Sequence, residues 1–302
     1  MKKLDKILKV LKNPKYMLIA LDKKKIVRLS DEKFLRLQYE NRMGEILDLS
    51  NPIDFNQKLQ WLKLNNRKPE YTKMVDKFDA KEYVGNIIGS EYIIPNLGVY
   101  DKFEDIDFSG LPNRFVIKPT HTSGDVYICK DKSKIDFVNL KSMIDKWLKK
   151  NYYLVHREWP YKDIKPRIII EEYMEDKSGG LTDYKVYAFN GKCEYVMACL
   201  DRNKGETKFI YFDKSWNMVK EFSQDGIKYG DSITLKRPQN LDKMFEFASV
   251  LSKDIPFVRV DFYEANGKLY FGELTFYPSA GFDNTRPKAC QEYLDNALKI
   301  GE

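Results

Sequence analysis

Only two histidines, His121 and His156, occur in 302 residues. A zinc centre built on imidazoles or a histidine-based catalytic triad is therefore not expected. The four cysteines, Cys129, Cys193, Cys199 and Cys290, have no metal-ligand spacing. They read as reduced, partly buried thiols of a cytoplasmic protein. No apolar run approaches the length of a membrane span, and no leader precedes a cleavage site. Repeats and low-complexity tracts are lacking. Charge of one sign is also in short supply: 52 Lys and Arg against 45 Asp and Glu leave +7. That is a mild bias toward anionic partners, far short of a nucleic-acid-binding stripe. What remains is an ordinary globular composition, 43% hydrophobic and 32% charged. The length suffices for one large domain or for two or three lobes with cores of their own.

The chain begins with a basic amphipathic pattern, in which Leu4, Ile7, Leu8 and Leu11 form a stripe opposite lysines. Such a helix rests either on an anionic membrane surface or, more commonly, on the rest of its own protein. Up to about Asn66 the pattern is helical. Ser30 caps a helix to Met43, and Phe55 to Leu64 forms another. A further helix is expected from Tyr71 through Asp76, Lys77 and Lys81 to Val84. The period then shifts toward two, with strand-like runs at Leu97–Tyr100, Arg114–Pro119 and Arg167–Ile170. Tyr184–Phe189 pairs with Glu194–Leu200 across Asn190-Gly191. Helices are expected over Phe137–Lys149, Asn240–Leu251 and Arg286–Leu298. Helices first, then antiparallel strands with helices between them, argue for an α+β fold.

Three local patterns carry chemistry. The first is Val258-Arg259-Val260-Asp261, then Asn266-Gly267, then Gly272-Glu273-Leu274-Thr275. Residues two apart on a strand share a face, so Arg259 sits beside Asp261 and Glu273 beside Thr275. Asp261 and Glu273 share a face if the loop holds an odd number of residues, as in a three-residue loop with Gly267 left-handed. A plain two-residue Asn-Gly turn points them apart. Two carboxylates about 4 Å apart repel by roughly 4 kcal/mol at an effective dielectric near 20, which invites a cation. Oxygen-only ligands next to an arginine suit Mg²⁺ carrying a phosphate. The alternative is a hairpin with solvated acids.

The second pattern is Ile117-Lys118-Pro119-Thr120-His121-Thr122-Ser123-Gly124. A lysine ending a buried strand either meets an anion or snorkels into water. The hydroxyls and close backbone N–H groups after it suit phosphate oxygens. It matches neither the P-loop nor the dinucleotide-binding glycine pattern. The third is Ile170-Glu171-Glu172-Tyr173-Met174, an apolar strand ending in two acids. It reads as a strand entering a loop or as the edge of an adenine site. Asp105-Ile106-Asp107 imitates the Asp-x-Asp of glycosyltransferases but has no apolar strand before it, and reads as loop. His156-Arg157-Glu158-Trp159-Pro160-Tyr161 is either an acceptor contact or a half-buried loop. Ser279-Ala280-Gly281-Phe282 suits a flexible edge of an acceptor pocket.

In this order, the three patterns resemble the ATP-grasp superfamily. Within it, Phe271-Gly272-Glu273-Leu274-Thr275-Phe276-Tyr277-Pro278 is similar to the TupA-like (teichuronopeptide-biosynthesis) ATP-grasp family. So are Phe55–Lys63, Asp76-Lys77, Arg157-Glu158-Trp159 and Asp183-Tyr184-Lys185. The resemblance runs from about Asn51 to Phe282. It implies two α+β lobes clasping ATP; the mainly helical region over 1–110 that precedes them departs from the Rossmann-like lobe usual in the superfamily, so the acceptor site does not carry over. The small lobe would then occupy 111–182 and the large lobe 183–302. Lys77 and Lys118 would hold the nucleotide phosphates, and the loop with His121, Ser123 and Gly124 would close over them. Glu171, Glu172, Tyr173 and Met174 would contact adenine, with Asp183 near the ribose. Asp261, Glu273 and Thr275 would hold Mg²⁺, threonine standing where many superfamily members have asparagine. Arg259, Lys118, Lys185 and Arg157 would meet phosphate or carboxylate oxygens.

The implied chemistry is an ATP-dependent ligation of a carboxylate to an amine through an acyl phosphate. The implied substrates are a uronic acid of a cell-surface glycan or its precursor and a small amine, an amino acid or amino alcohol. No nucleic acid is expected. The expected location is the cytoplasm, with possible contact at the inner membrane face through the N-terminal basic helix. The competing readings are a glycosyltransferase of the same pathway and a noncatalytic nucleotide- or glycan-binding protein.

Overall fold

The computed structural model describes residues 14–176, 181–200 and 205–301. The basic amphipathic segment 2–12 lies outside them. Helices α1 (Pro14–Lys23) and α2 (Asp31–Met43) open the described chain. Ser30 caps α2, its hydroxyl accepting from the Lys33 amide at 3.3 Å, and Gly44 ends it in the left-handed conformation. Phe34, Leu35 and Tyr39 of α2 pack with Ile19 and Leu47 against Ala280 and Phe282. The N-terminal helices thus bear directly on the loop that follows the last strand.

Helix α3 (Phe55–Asn65) is capped by Asp54. The single helix expected from Tyr71 to Val84 is instead two, α4 (Glu70–Val75) and α5 (Asp79–Ile88). The break has a local cause. Asp76 turns extended, and its carboxylate accepts from the Phe78 and Asp79 amides at 2.8 and 3.0 Å, starting α5 afresh. Lys77 is left outside both helices, and its amide donates to Thr120 O at 3.1 Å.

A four-stranded antiparallel sheet follows, in the order β1 (Asn96–Tyr100), β4 (Ile168–Glu172), β2 (Phe115–Pro119), β3 (Tyr127–Cys129). Its first strand comes from the stretch that the sequence groups with the helical region. Helix α6 (Phe137–Leu148) covers one face, placing Leu140, Ile144 and Trp147 on Phe115, Ile117, Ile168 and Ile170. Phe115 and Ile117 point into this core, so Val116 and Lys118 point out of it. The short helix α7 (Tyr153–His156) leads back toward β4.

The larger sheet is also antiparallel, ordered β7 (Lys208–Asp213), β6 (Lys192–Leu200), β5 (Thr182–Phe189), β8 (Val258–Ala265), β9 (Lys268–Thr275). Val258, Val260 and Phe262 face the core, together with Leu241, Met244 and Phe245 of α9 (Leu241–Leu251). The alternate residues, Arg259 and Asp261, face the opposite way. Strand β7 and the helix α8 (Gln224–Tyr229) give no clear sequence signal; α10 (Lys288–Ala297) ends the fold. Among the described residues, no helix is long and apolar enough to cross a membrane.

Candidate active site

The β8–β9 hairpin answers the question of parity in an unexpected way. Its loop is the plain two-residue Asn266-Gly267 turn, both residues at positive φ (54° and 79°), with Ala265 opposite Lys268. Left to itself this register puts Gly272, not Glu273, opposite Asp261. The extra residue lies in the strand: a bulge between Asp261 and Phe262 shifts the ladder, so Asp261 pairs with Glu273 and Arg259 with Thr275. Gly272 permits the bulge, because a Cβ there would stand 3.0 Å from both Asp261 O and a Tyr263 ring carbon. Gly272→Val is expected to lower the urea midpoint and to remove any stabilisation by added ATP and Mg²⁺. Retention of that stabilisation would show that the register does not depend on this glycine.

The bulge gathers four polar side chains on one face. Arg259 donates twice to Asp261, Nε at 2.6 Å and Nη2 at 2.7 Å. Its Nη2 also reaches Glu273 Oε1 at 3.3 Å and Thr275 Oγ1 at 3.1 Å, and Thr275 donates to Glu273 at 3.2 Å. From β5, Lys185 is paired with Asp183 at 2.7 Å and with Asp261. Burial opposes the charge of Arg259, but the Asp261 carboxylate more than offsets this and holds the guanidinium well above its usual range. Burial likewise works against Asp261, and Arg259 and Lys185 override it, keeping the carboxyl low. Asp183, Asp261 and Glu273 exceed Lys185 and Arg259 by one negative charge.

On the smaller sheet, Lys118 Nζ lies 2.6 Å from Glu171 Oε2, and Lys81 of α5 lies 2.5 Å from the other oxygen. Burial pushes the Glu171 carboxyl up, but the two lysines bring it down to about 2. Glu171 is thus a clamp for two lysines, not an open adenine contact. Glu172 is exposed, Tyr173 packs 4.8 Å from the Arg114 guanidinium, and Met174 is half-buried. Lys77 donates to Thr122 O in the loop after β2. Burial holds its ammonium below the usual lysine range; Glu273 opposes this shift, and Lys118 adds to it. Lys77 therefore lies within electrostatic reach of both sheets' charged groups.

A cavity of about 410 Å³ joins the two lobes. Ser123 of the small lobe's loop borders it, as do Arg259, Glu273 and Thr275 of the larger sheet. Tyr152, His156, Glu158 and Tyr161 form a further wall, and Arg42 of α2 stands with Phe282 at another side. Gly124 sits in the loop at φ 83° with open space around it. A larger groove of about 800 Å³, lined by Trp61 and Tyr293 among others, includes none of the candidate phosphate, adenine or metal residues.

Several expectations need correction. Arg157 turns away from the cavity: its guanidinium pairs with Asp22 and with Asp31 (3.2 Å) and lies 4.1 Å from the Phe34 ring centroid. It ties α7 to the N-terminal helices. His121 is buried with its Nε2 3.1 Å from Trp147 O, so its ring packs under α6 rather than over a phosphate. Asp183 is buried beneath Lys185. The Ser279–Phe282 edge is pinned: Lys63 donates to Ala280 O at 2.8 Å and Gln60 to Gly281 O at 2.7 Å. Ser279 and Ala280 hold φ near 50° under that restraint (51° and 54°). Asp107 accepts from the Ser109 amide at 3.0 Å in a loop turn, as its sequence suggests.

The oxygen-only chemistry of this face fits a hard cation such as Mg²⁺. Glu273, with 40% of its side chain exposed, is the carboxylate of this hairpin presented to the cavity. Asp261 is almost fully buried, and both its oxygens are taken by Arg259 and Lys185. It fits as a ligand only once one of those pairs opens. Among the described residues, no three acidic, histidine or cysteine side chains form a metal cluster by themselves. A cation here would need oxygens from a second group, as nucleotide phosphates provide.

A small antiparallel sheet carrying Lys118, with Lys77 and Lys81 beside it, set against a larger one carrying an arginine–carboxylate cluster, defines an ATP-grasp protein. The chain belongs to the TupA-like ATP-grasp family, whose model matches residues 57–299. No curated protein matches it significantly. Among solved structures, it is similar to D-alanine–D-alanine ligase from Bacillus anthracis complexed with ATP. That match has 18% identity and a TM-score of 0.39, covering 67% of this chain and 53% of that one. The Helicobacter pylori D-alanine–D-alanine ligase gives 17% identity and a TM-score of 0.43, covering 75% and 61%. The ligase PsnB, complexed with a minimal precursor, Mg and ADP, gives 10% and 0.41, covering 88% and 69%. The chain therefore spans between half and two thirds of the two D-alanine–D-alanine ligases.

Proposed function

We propose that the protein is an ATP- and Mg²⁺-dependent ligase that joins a carboxylate to an amine through an acyl phosphate. The observation that carries this reading is the shared cavity, where the Ser123 loop, Arg259, Glu273 and Thr275 meet. In phosphoryl transfer to a carboxylate there is little proton chemistry for a protein to perform. Positioning and charge neutralisation dominate, and this site is built of fixed charges. Lys77, Lys118 and Ser123 would hold the triphosphate. Arg259 would meet the oxygens of the acceptor carboxylate and of the transferred phosphoryl group. Glu273, and Asp261 once released by Arg259 or Lys185, would hold Mg²⁺, which neutralises phosphate charge when bound.

The carboxylate is proposed to be a uronic acid of a cell-surface polysaccharide or its precursor, and the amine an amino acid or amino alcohol. The proposed location is the cytoplasm. Arg42, exposed at the cavity edge, gives an anionic sugar a first cation to meet. The test is ADP release from ATP and Mg²⁺ with glucuronate or galacturonate against a panel of amino acids and amino alcohols. ADP should appear only when ATP, Mg²⁺ and an acid are all present, and ATP with Mg²⁺ should raise the melting temperature of the free protein. A protein that ignores ATP but turns over a nucleotide sugar would overturn the ligase reading in favour of a glycosyltransferase.

A further inference from the structure

Glu158 is 5% exposed and borders the cavity, yet its carboxylate has no hydrogen-bond partner among the described residues. A buried anion without such a partner is costly, so its position calls for an explanation. The nearby ammonium of Lys63 does not supply one. Lys63 is completely buried and gives three hydrogen bonds elsewhere: to Gln60 Oε1 at 2.9 Å, His156 O at 3.0 Å and Ala280 O at 2.8 Å. Those three bonds account for all three donors of an ammonium, so Lys63 has none left for Glu158 and attracts it only through space, while burial pushes the ammonium well below the usual lysine range. The Glu158 oxygens remain open toward the cavity.

We propose that Glu158 is the anchor and proton acceptor for the amine substrate, and that its side of the cavity receives an ammonium-bearing acceptor. This rests on the ligase reading. The cavity then has two ends of opposite character. Arg259 and Arg42 suit the carboxylate, and Glu158 suits the amine. An amine reaching the site as an ammonium must lose a proton before its nitrogen can attack the acyl carbon. Glu158 takes that proton. The C–N bond forms as the bond between the acyl carbon and the phosphate oxygen breaks. The phosphate departs with the electron pair of the broken bond and with the second nitrogen proton, and Glu158 returns the first proton to solvent.

The surroundings suit a proton acceptor. Burial raises the Glu158 carboxyl above the ordinary carboxylate range; Lys63 of α3 opposes this, and Glu273 of β9 adds to it. Tyr152, Tyr161 and Tyr277 also feel its charge, and burial keeps all three phenols protonated. His156, on the same wall, is held neutral by burial and by Lys63, its imidazole pushed down to about 3. Arg42 completes the set of charged groups at the cavity. Among the described residues lining the cavity, Glu158 is the buried carboxylate whose proton affinity is raised; the phenols beside it stay protonated and cannot accept.

The experiment uses Glu158→Gln with ATP, Mg²⁺, glucuronate and galacturonate, and two amine probes. Hydroxylamine is a free base at neutral pH and traps an acyl phosphate without enzymic help, whereas glycine is an ammonium. The variant should bind ATP with Mg²⁺ and form hydroxamate like the wild type, yet make the glycine amide about 100-fold more slowly. That deficit should shrink as the pH rises. Wild-type rates with glycine would overturn the proposal. So would equal loss with both probes while ATP still raises the melting temperature, because Glu158 would then act before the amine step. If the wild type itself yields neither ADP nor hydroxamate with either acid, the ligase reading fails and the amine subsite falls with it.

Discussion

Glu273→Gln is expected to cost roughly 10²–10³-fold in turnover while leaving the melting temperature of the free protein nearly unchanged. The residue is half-exposed at the cavity and, among the described residues, is held by Thr275 and by one long contact from Arg259. Its charge supports little of the fold, so its loss should appear mainly in catalysis and in the stabilisation conferred by ATP with Mg²⁺. Asp261→Asn should behave differently, although both acids lie opposite each other on one hairpin. Asp261 is the counter-ion of two buried cations, Arg259 and Lys185. Breaking a buried pair by neutralising one partner costs about 3–5 kcal/mol, because the remaining charge is left uncompensated. A fall in melting temperature on the order of 10 °C should accompany loss of activity in this variant. Paired melting curves and ADP-release assays decide the matter. Equal stability of the two variants would remove Asp261 from its structural role, and full activity of Glu273→Gln would remove the metal assignment.

That contrast marks where the sequence stops being informative. Period-two alternation around Arg259 and Asp261 is local, and so are the Ser30 cap and the two Asn-Gly turns. Each is written in a few adjacent residues and appears where expected. The bulge at Gly272 is not local in this sense, because glycine in a strand is compatible with several distortions and only the partner strand selects one. Nor is the fate of a charge. Arg157 stands in a motif rich in charges and aromatics, but its partners, Asp22 and Asp31, lie more than 120 residues earlier in the chain. Lys63 reads as one more polar position on an amphipathic helix; burial against Ala280 and His156 reveals it as the brace of the acceptor side. The break at Asp76 does have a local signal, an aspartate three residues before Asp79. Within a run of helix-compatible residues it is easily read as part of one longer helix.

Glu171→Gln should be the most destabilising single change on the smaller sheet, and its cost should depend on pH. In the wild type the carboxylate bonds Lys118 on one oxygen and Lys81 on the other. Lys81 is itself held below the usual lysine range by burial, Glu171 opposing that shift, so it tolerates the loss of its counter-ion poorly. The Glu171 carboxyl is depressed from its ordinary 4.5 to about 2, a difference worth about 3 kcal/mol. Because the folded value is the lower one, this stability is fully present above about pH 4.5 and is lost as the pH falls through 2. Urea midpoints at pH 7 should therefore place the variant about 3 kcal/mol below the wild type, and at pH 3 the gap should shrink by roughly half. A gap that stays constant between the two pH values would mean that the carboxylate charge is not what holds the lysines. Lys118→Ala gives the complementary result, since Lys81 still pairs with Glu171. Its stability should change little, while the rise in melting temperature with ATP and Mg²⁺ should largely vanish if Lys118, which faces out of the small-lobe core, holds the phosphates as proposed.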